Sequence, residues 1–316
     1  MKIIFAGTPD FAAKHLEIVL QSKHEVLSVL TQPDRKSGRG KKVNFSPVKQ
    51  AALDNDISVY QPESLRTEKV FSNLRSISPD LILVVAYGLL VPKNILELPK
   101  HGCVNVHASL LPKWRGASPM EHAIMSGDRN IGISYMEMSE GLDEGPIYEM
   151  HECSLEEYDN LQAVEEKFIQ LSEKYLVAFL DNLESGSIKH KAQDENKATF
   201  SPKIDKKFLQ IDWQGNSSLE IIRKINALGS KYGIHSFLGG RRVKIYRARN
   251  IELEINRDPG CISIKDDQLV VFCKDASSIL IEQIQMEGKN KVSGKDFIAG
   301  YLDLIKENEN FELTIQ

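Results

Sequence analysis

Cysteine is scarce in this sequence, and the few that occur form no recognisable pattern. The 316 residues include four cysteines, which lie far apart and make no C-x-x-C pair. None of the eight histidines stands at a zinc-ligand spacing from a cysteine or an aspartate. We therefore expect reduced thiols and no metal in the active site.

Long apolar runs are also lacking. No stretch approaches the roughly eighteen apolar residues that a membrane-spanning helix needs, and the chain starts at once with a strand-like segment. We therefore expect a soluble, cytoplasmic protein with no membrane partner. The net charge of -4 argues against a general attraction to nucleic acid. Charge is unevenly spread, however, because residues 35–49 contain six basic residues and no acidic one.

Nucleotide-binding glycine motifs are missing as well. Gly7 follows the first strand, but the second and third glycines of G-x-G-x-x-G are absent and no Walker lysine follows. Gly7 is predicted only to turn the first strand into the first helix.

What the first 150 residues do contain is a regular alternation of strands and helices. Strands are predicted at 3–6, 25–31, 81–86, 103–107 and 131–136, and helices at about 11–21, 47–54, 69–76 and 118–126. The alternation predicts an α/β fold with a doubly wound, mostly parallel sheet of Rossmann type. Ligands of such sheets bind at the carboxyl ends of the strands.

The remaining residues predict a second, smaller domain. A long helix at 158–183 closes the first domain, which we place at 1–184, and residues 185–208 have the composition of a linker. From 209 to 316, one helix at 218–226 precedes short strands broken by glycine turns. That spacing of short strands predicts a small C-terminal β-barrel.

The chemistry is predicted to lie where strand 103–107 ends. Asn105 and His107 are two residues apart on this strand, so their side chains point to the same face. Asp143 lies in a loop between two glycines, in the sequence GLDEGP of residues 141–146. An amide and an imidazole can stabilise an oxyanion, and a nearby carboxylate can influence proton transfer by the imidazole. Because no serine or cysteine is placed as a nucleophile, these residues predict direct group transfer between two bound molecules.

Each of the three residues also has a structural interpretation. His107 alone would be a core histidine bonded to backbone, Asn105 would satisfy a strand end, and Asp143 would be an ordinary turn residue. Their occurrence together favours the catalytic interpretation.

Residues 105–119, with Asp143 and its flanking glycines, resemble the signature of the folate-dependent formyltransferases. Segments 5–12, 31–35, 46–49 and 86–92 and the loop GRGKK at 38–42 narrow the resemblance to the members that act on methionyl initiator tRNA. It is dense to about residue 150, thinner to about 204 and weak beyond.

This resemblance implies a transferase that moves a formyl group from 10-formyltetrahydrofolate, the co-substrate, to the α-amino group of methionyl initiator tRNA in translation initiation. Asn105, His107 and Asp143 would be catalytic. Residues implied to bind the folate are Ser109, Leu110, Leu111, Pro112, Leu90 and Val91. Those implied to bind the tRNA are Arg35, Arg39, Lys41 and Lys42, with Arg241 and Arg242 in an OB-like second domain. We expect the protein to be a monomer.

Two other functions stay open from the sequence. An amino-sugar or other small-amine formyltransferase shares the catalytic residues, but a small acceptor has no use for the basic loop. A non-catalytic RNA- or folate-binding module would have no need of all three catalytic residues. Residues 226–233 (NALGSKYG) depart from the proline- and tryptophan-rich segment of the family, which leaves the RNA contacts of the second domain open.

Overall fold

The computed structural model describes residues 1–37, 42–252, 255, 257–274 and 276–312. The chain divides into two compact units. The first comprises Met1–Pro119, Asn130–Ser154 and Glu165–Ser201, and the second comprises Met120–Arg129, Leu155–Val164 and Pro202–Gln316. The predicted domain limits at 184 and 209 remain predictions.

The described elements alternate as expected in the first part of the chain. They begin with β1 (Lys2–Gly7), α1 (Asp10–Leu20), β2 (Glu25–Leu30), β3 (Arg35–Ser37), β4 (Lys42–Asn44), α2 (Pro47–Asp54), β5 (Val59–Tyr60), α3 (Glu68–Ile77), β6 (Leu81–Val85) and α4 (Lys93–Leu96). They continue with β7 (Cys103–His107), β8 (Arg115–Gly116), α5 (Pro119–Ser126), β9 (Asn130–Glu137), β10 (Ile147–Ser154), α6 (Leu161–Ser185) and β11 (Phe200–Ser201).

A seven-stranded sheet forms the centre of the first unit, in the order β10-β9-β7-β6-β1-β2-β5. The five strands from β7 to β5 pair in parallel, whereas β9 runs antiparallel to β7 and β10 antiparallel to β9. The prediction of a mostly parallel α/β sheet is thus confirmed. For β10, the sequence indicates only that His151 ends a strand, whereas the strand continues to Ser154; its alternating exposed residues lack the apolar run that marks β6.

Local sequence signals explain several of the helix starts. Ser46 caps α2 by accepting a hydrogen bond from the backbone N–H of Lys49, and Pro47 occupies the first helical turn. Thr67 caps α3 in the same way. Because β6 and β7 pair in parallel, the loops that follow them leave the sheet at the same edge.

The second unit is built on an antiparallel sheet. Its elements are α7 (Ser218–Leu228), β12 (Ile234–Leu238), β13 (Arg241–Ile251), β14 (Ile262–Lys265), β15 (Gln268–Phe272), β16 (Ser278–Met286), β17 (Val292–Ser293) and α8 (Gly294–Asn308). The strand order is β12-β13-β16-β15-β14, with β17 beside β16. This confirms a smaller β domain, while its closure into a barrel remains a prediction. Helix α8 was not predicted, because its start follows a run of turn residues that had indicated further strands.

The core of the second unit contains a buried tryptophan. Trp213 is 1% exposed, stacks on Phe311 at 5.6 Å between ring centroids and donates its indole N–H to Ser236 Oγ at 2.9 Å. Among the described residues, every helix is too short or too polar to span a lipid bilayer.

Candidate active site

Asn105 and His107 lie at the carboxyl end of β7, as the sequence predicted. His107 is 5% exposed, and its Nε2 is 3.0 Å from the backbone oxygen of Trp114. A carbonyl oxygen can only accept a hydrogen bond, so Nε2 carries the hydrogen in the neutral ring. The lone pair is then on Nδ1, on the other side of the imidazole.

Asp143 completes the group of three. Its Oδ2 accepts a hydrogen bond of 2.8 Å from the backbone N–H of Gly116 and lies 3.7 Å from His107 Nδ1. Its Oδ1 accepts a long hydrogen bond of 3.5 Å from Asn105 Nδ2. The structure therefore brings together the three residues that the sequence selected.

The arrangement combines three chemical abilities in one place. Asn105 offers side-chain N–H groups, His107 offers a lone pair on Nδ1, and Asp143 is a carboxylate close enough to stabilise positive charge on the imidazole. These are the groups that an acyl transfer through an oxyanion requires.

Comparison with known proteins identifies the family. Residues 1–180 match the sequence model described as formyl transferase, and residues 203–302 match that described as formyl transferase, C-terminal domain. A methionyl-tRNA formyltransferase of Coxiella burnetii (strain RSA 331 / Henzerling II) is 40% identical over 303 residues, which cover 96% of each chain. The chain belongs to the methionyl-tRNA formyltransferase family.

Solved structures agree with this family's fold. The methionyl-tRNA formyltransferase from Clostridium thermocellum superposes with a TM-score of 0.57 at 19% identity, over 79% of this chain and 93% of that one. An N-formyltransferase from Helicobacter canadensis, in complex with folinic acid and dTDP-3-aminofucose, gives 0.66 at 17% identity, over 90% and 99% of the two chains. The resemblance seen in the sequence, and with it the prediction of a transferase enzyme, is confirmed.

In this formyltransferase chain, a second segment holds the loop that follows β7. Strand β11 pairs in parallel with β8, and Thr199 receives two hydrogen bonds, from Trp114 N to its Oγ1 (2.9 Å) and from Arg115 N to its carbonyl (2.8 Å). Ser201 Oγ donates to the Trp114 oxygen at 3.0 Å. We call residues 193–201 the anchoring segment. Sequence reasoning missed its role because its polar composition is typical of a linker.

Arg115 connects this segment to the loop that carries Asp143. Its side chain is 3% exposed and forms a bidentate ion pair with Glu195, with N–O distances of 2.9 and 2.7 Å. The hydrogen bond raises the pKa of Arg115 and lowers the pKa of Glu195. Arg115 also donates twice to Gln193 Oε1, and Gln193 Nε2 donates to the carbonyls of Asp143 and Gly145.

Two glycines near the site are required by close backbone approach. A Cβ atom on Gly145 would stand 1.9 Å from the carbonyl oxygen of Glu137. Gly116 has a φ of +123°, and a Cβ there would lie 2.7 Å from the carbonyl oxygen of Ser201. The glycine pattern around Asp143 thus has a steric reason.

The residues implied to bind the folate lie on the two loops after β6 and β7. Ser109 and Leu111 are buried, and the Ser109 hydroxyl donates to the Lys113 oxygen at 2.6 Å. Leu110, Pro112 and Val91 are half-buried, and Leu90 is 70% exposed. The role of these six residues in folate binding stays a prediction.

The basic segment forms a hairpin of β3 and β4, in which Arg35 pairs with Asn44 and Ser37 with Lys42. Arg39 and Lys41 lie outside the described residues. Arg35 is exposed. The Lys49 side chain makes contacts within the protein, since its Nζ donates hydrogen bonds to Asp34 Oδ2 at 2.5 Å and to Gln61 Oε1 at 2.9 Å. The hydrogen bond from Lys49 lowers the pKa of Asp34.

The basic residues of β13 are largely paired within the second unit. Arg241 is exposed, whereas Arg242 forms an ion pair with Glu287 at 2.9 Å. Arg247 and Arg249 share Glu282, at 2.8 and 3.4 Å. This strand is therefore less cationic than its sequence suggests.

Proposed function

We propose that this chain transfers the formyl group of 10-formyltetrahydrofolate to the α-amino group of methionyl initiator tRNA. The observation that carries the proposal is the convergence of Asn105, His107 and Asp143 within 3.7 Å contacts, in a chain similar along almost its whole length to a methionyl-tRNA formyltransferase. We also propose that the protein acts in the cytoplasm and is a monomer. Light scattering on the purified protein tests the monomeric state.

The catalytic residues would act on charge and protons. His107 Nδ1 takes a proton from the attacking amine as the new C–N bond forms at the formyl carbon. Asn105 donates a hydrogen bond to the formyl oxygen, on which negative charge develops. Asp143 stabilises the imidazolium, and His107 then returns the proton to the departing folate nitrogen N10 as the old C–N bond breaks.

The two substrates would be held by different parts of the first unit. The loops after β6 and β7 offer apolar side chains, with Leu90, Leu110 and Pro112 at least partly exposed at one edge of the sheet, which suits the flat ring system of a folate. In the sequence, residues 35–49 contain six basic residues and no acidic one, among them Arg35, Arg39, Lys41 and Lys42, and this concentration of positive charge suits RNA phosphates.

The test is formyl transfer from labelled 10-formyltetrahydrofolate to charged initiator tRNA, with an amino-sugar nucleotide as a parallel acceptor. We expect label on the tRNA alone. Asn105→Ala and His107→Ala should each lower kcat by about 10²-fold or more, because each removes an oxyanion donor or the proton carrier. Asn130→Ala, an exposed residue at the start of β9, is the matched control. Label on the amino sugar alone, or near-normal turnover by folded Asn105 and His107 variants, would contradict the proposal.

A further inference from the structure

The side chain of Gln193 occupies an unusual position between the two loops of the site. Residues 189–192 and 194–197 around it are exposed, but Gln193 itself is half-buried. Its oxygen accepts from Arg115 Nε at 3.0 Å and from Nη2 at 2.8 Å. Its nitrogen donates to the carbonyl of Asp143 at 2.8 Å and to that of Gly145 at 2.7 Å. All four hydrogen-bonding positions of the amide are therefore used.

The orientation of this amide is fixed by its partners. A guanidinium has no acceptor and a carbonyl has no donor, so the oxygen must face Arg115 and the nitrogen must face the 143–145 backbone. Arg115 cannot turn away, because Glu195 holds it by two further hydrogen bonds. Only an amide of this length can accept from Arg115 and donate to two carbonyls at once.

Asp143 needs such support. Its φ is 50°, in the left-handed region that residues with a side chain seldom occupy. Its carboxylate is held from one side by the N–H of Gly116, and its own carbonyl is held from the other side by Gln193. Both contacts depend on adjacent residues: Gly116 donates to the carboxylate, and Arg115 binds the Gln193 side chain that donates to the carbonyl.

His107 is held by the same stretch, because its Nε2 donates to the oxygen of Trp114. Residues 114–116 thus contact the imidazole and the carboxylate directly. Through Gln193, they also position the backbone carbonyls of Asp143 and Gly145. The distance of 3.7 Å between His107 Nδ1 and Asp143 Oδ2 depends on this set of contacts.

We propose that Gln193 is a positioning residue for catalysis, which sets the place of Asp143 relative to His107 by linking Arg115 to the 143–145 backbone. The proposal rests on the proposed function, in which Asp143 acts on His107. Gln193 itself touches no substrate in this scheme.

Two substitutions separate the halves of the link. Gln193→Ala removes both halves. Gln193→Glu keeps the side-chain length and the acceptor for Arg115 but cannot donate to the two carbonyls when ionised, so it also serves if Gln193→Ala folds poorly. Asn196→Ala is the matched control, since Asn196 is exposed in the same segment and its side chain bonds only to neighbouring Asp194 among the described hydrogen bonds.

The measurements are kcat, KM for each substrate, the pH profile of kcat and the melting temperature. We expect both Gln193 variants to lower kcat about tenfold to a hundredfold, as for a misplacement of about 1 Å. KM should stay within about twofold for each substrate, because binding groups are untouched. The pH profile should move in the same direction as it does in Asp143→Asn. A merely structural role would lower the melting temperature and leave kcat and the pH profile of the folded enzyme unchanged, which would overturn the proposal.

A double-mutant cycle gives the sharpest readout. If Gln193 acts through Asp143, then adding Gln193→Ala to Asp143→Asn should lower kcat by less than about threefold. An equal loss in both backgrounds would overturn the proposal while leaving the function of Asp143 intact. Full activity of the Asp143→Asn single variant would remove the premise that Asp143 acts on His107 and would overturn the proposal as well. The proposed function fails instead if the unsubstituted protein places no label on charged initiator tRNA, so the two failures are distinguishable.

Discussion

Removing the charge of Asp143 without changing its shape tests the electrostatic part of the mechanism. In Asp143→Asn, the amide oxygen can still accept from Gly116 N–H, and the backbone contacts of Gln193 are unchanged. What disappears is the attraction between the carboxylate and an imidazolium 3.7 Å away, together with the long hydrogen bond of 3.5 Å from Asn105 Nδ2, which would now face the new amide nitrogen. Coulomb's law gives this attraction as about 1 kcal/mol in water and about 4.5 kcal/mol at an effective dielectric constant of about 20.

The side chains of His107 and Asp143 are 5% and 17% exposed, so the upper part of that range applies. We therefore expect kcat to fall by about 10²- to 10³-fold, since each 1.4 kcal/mol or so is a factor of ten. The assay is single-turnover formylation of charged initiator tRNA with both substrates saturating. Because the pair is mostly shielded from solvent, the loss should change little with ionic strength.

The matched control is Glu144→Gln, which removes a charge from the next residue, an exposed one in the same loop. It should keep kcat within about twofold of the unsubstituted enzyme. If folded Asp143→Asn keeps its kcat, or if Glu144→Gln loses as much, the reasoning from the His107–Asp143 distance is wrong.

Four further predictions concern stability, packing, RNA binding and metals. Burial lowers the pKa of His15 to about 4 from 6.5, so the unfolded chain binds more protons between these pH values and stability falls as the pH drops through them. By urea unfolding, the stability difference between the unsubstituted protein and His15→Gln should shrink by about 2 kcal/mol from pH 7.5 to pH 5, and a constant difference would refute this. Gly145→Ala should displace the Asp143 loop and lower kcat, because its Cβ would meet the Glu137 carbonyl at 1.9 Å, whereas the control Gly300→Ala, whose added Cβ meets nothing within 4 Å, should stay active. Replacing Arg39, Lys41 and Lys42 by alanine should raise KM for charged tRNA and leave KM for the folate unchanged. The slope of log affinity for tRNA against log salt concentration should fall by about one unit per lost phosphate contact, and an unaltered slope would mean that these cations only face solvent. Activity should survive EDTA, and loss that one stoichiometric metal restores would overturn the direct-transfer mechanism.

The central sheet could be predicted from sequence because its strands carry strong local signals. Residues 81–85 are continuously apolar and fully buried, as expected for a central parallel strand. Strand β10 could not be given bounds in this way, since three of its eight residues are exposed and the other five are only half-buried, and its extent follows from its pairing with β9. Helix α8 was missed because turn residues at its start hid its helical periodicity.

The candidate site divides in the same manner. Asn105 and His107 were found because two-residue spacing on a strand places side chains on one face, and Asp143 because glycines flank it. No local sequence pattern identifies Gln193. Its importance comes from contacts with residues 48 to 78 positions away in the chain, which no spacing rule reports. The burial of Arg115 does point to an acidic partner, because a buried guanidinium requires one, but that burial is visible only in the structure.

The pairing of β8 with β11 has a consequence for how this protein can vary. Surface loops usually accept insertions and deletions, because little depends on their length. Here Arg115 pairs with Phe200 and Gly116 with Ser201. Gly116 also donates to the Asp143 carboxylate, and Ser201 donates to the Trp114 carbonyl that binds His107. Adding or removing one residue between Pro112 and Gly116, or between Gln193 and Ser201, would shift this register and separate His107 from Asp143. These two loops should therefore tolerate changes of residue type at their exposed positions, such as Asn196, far better than changes of length.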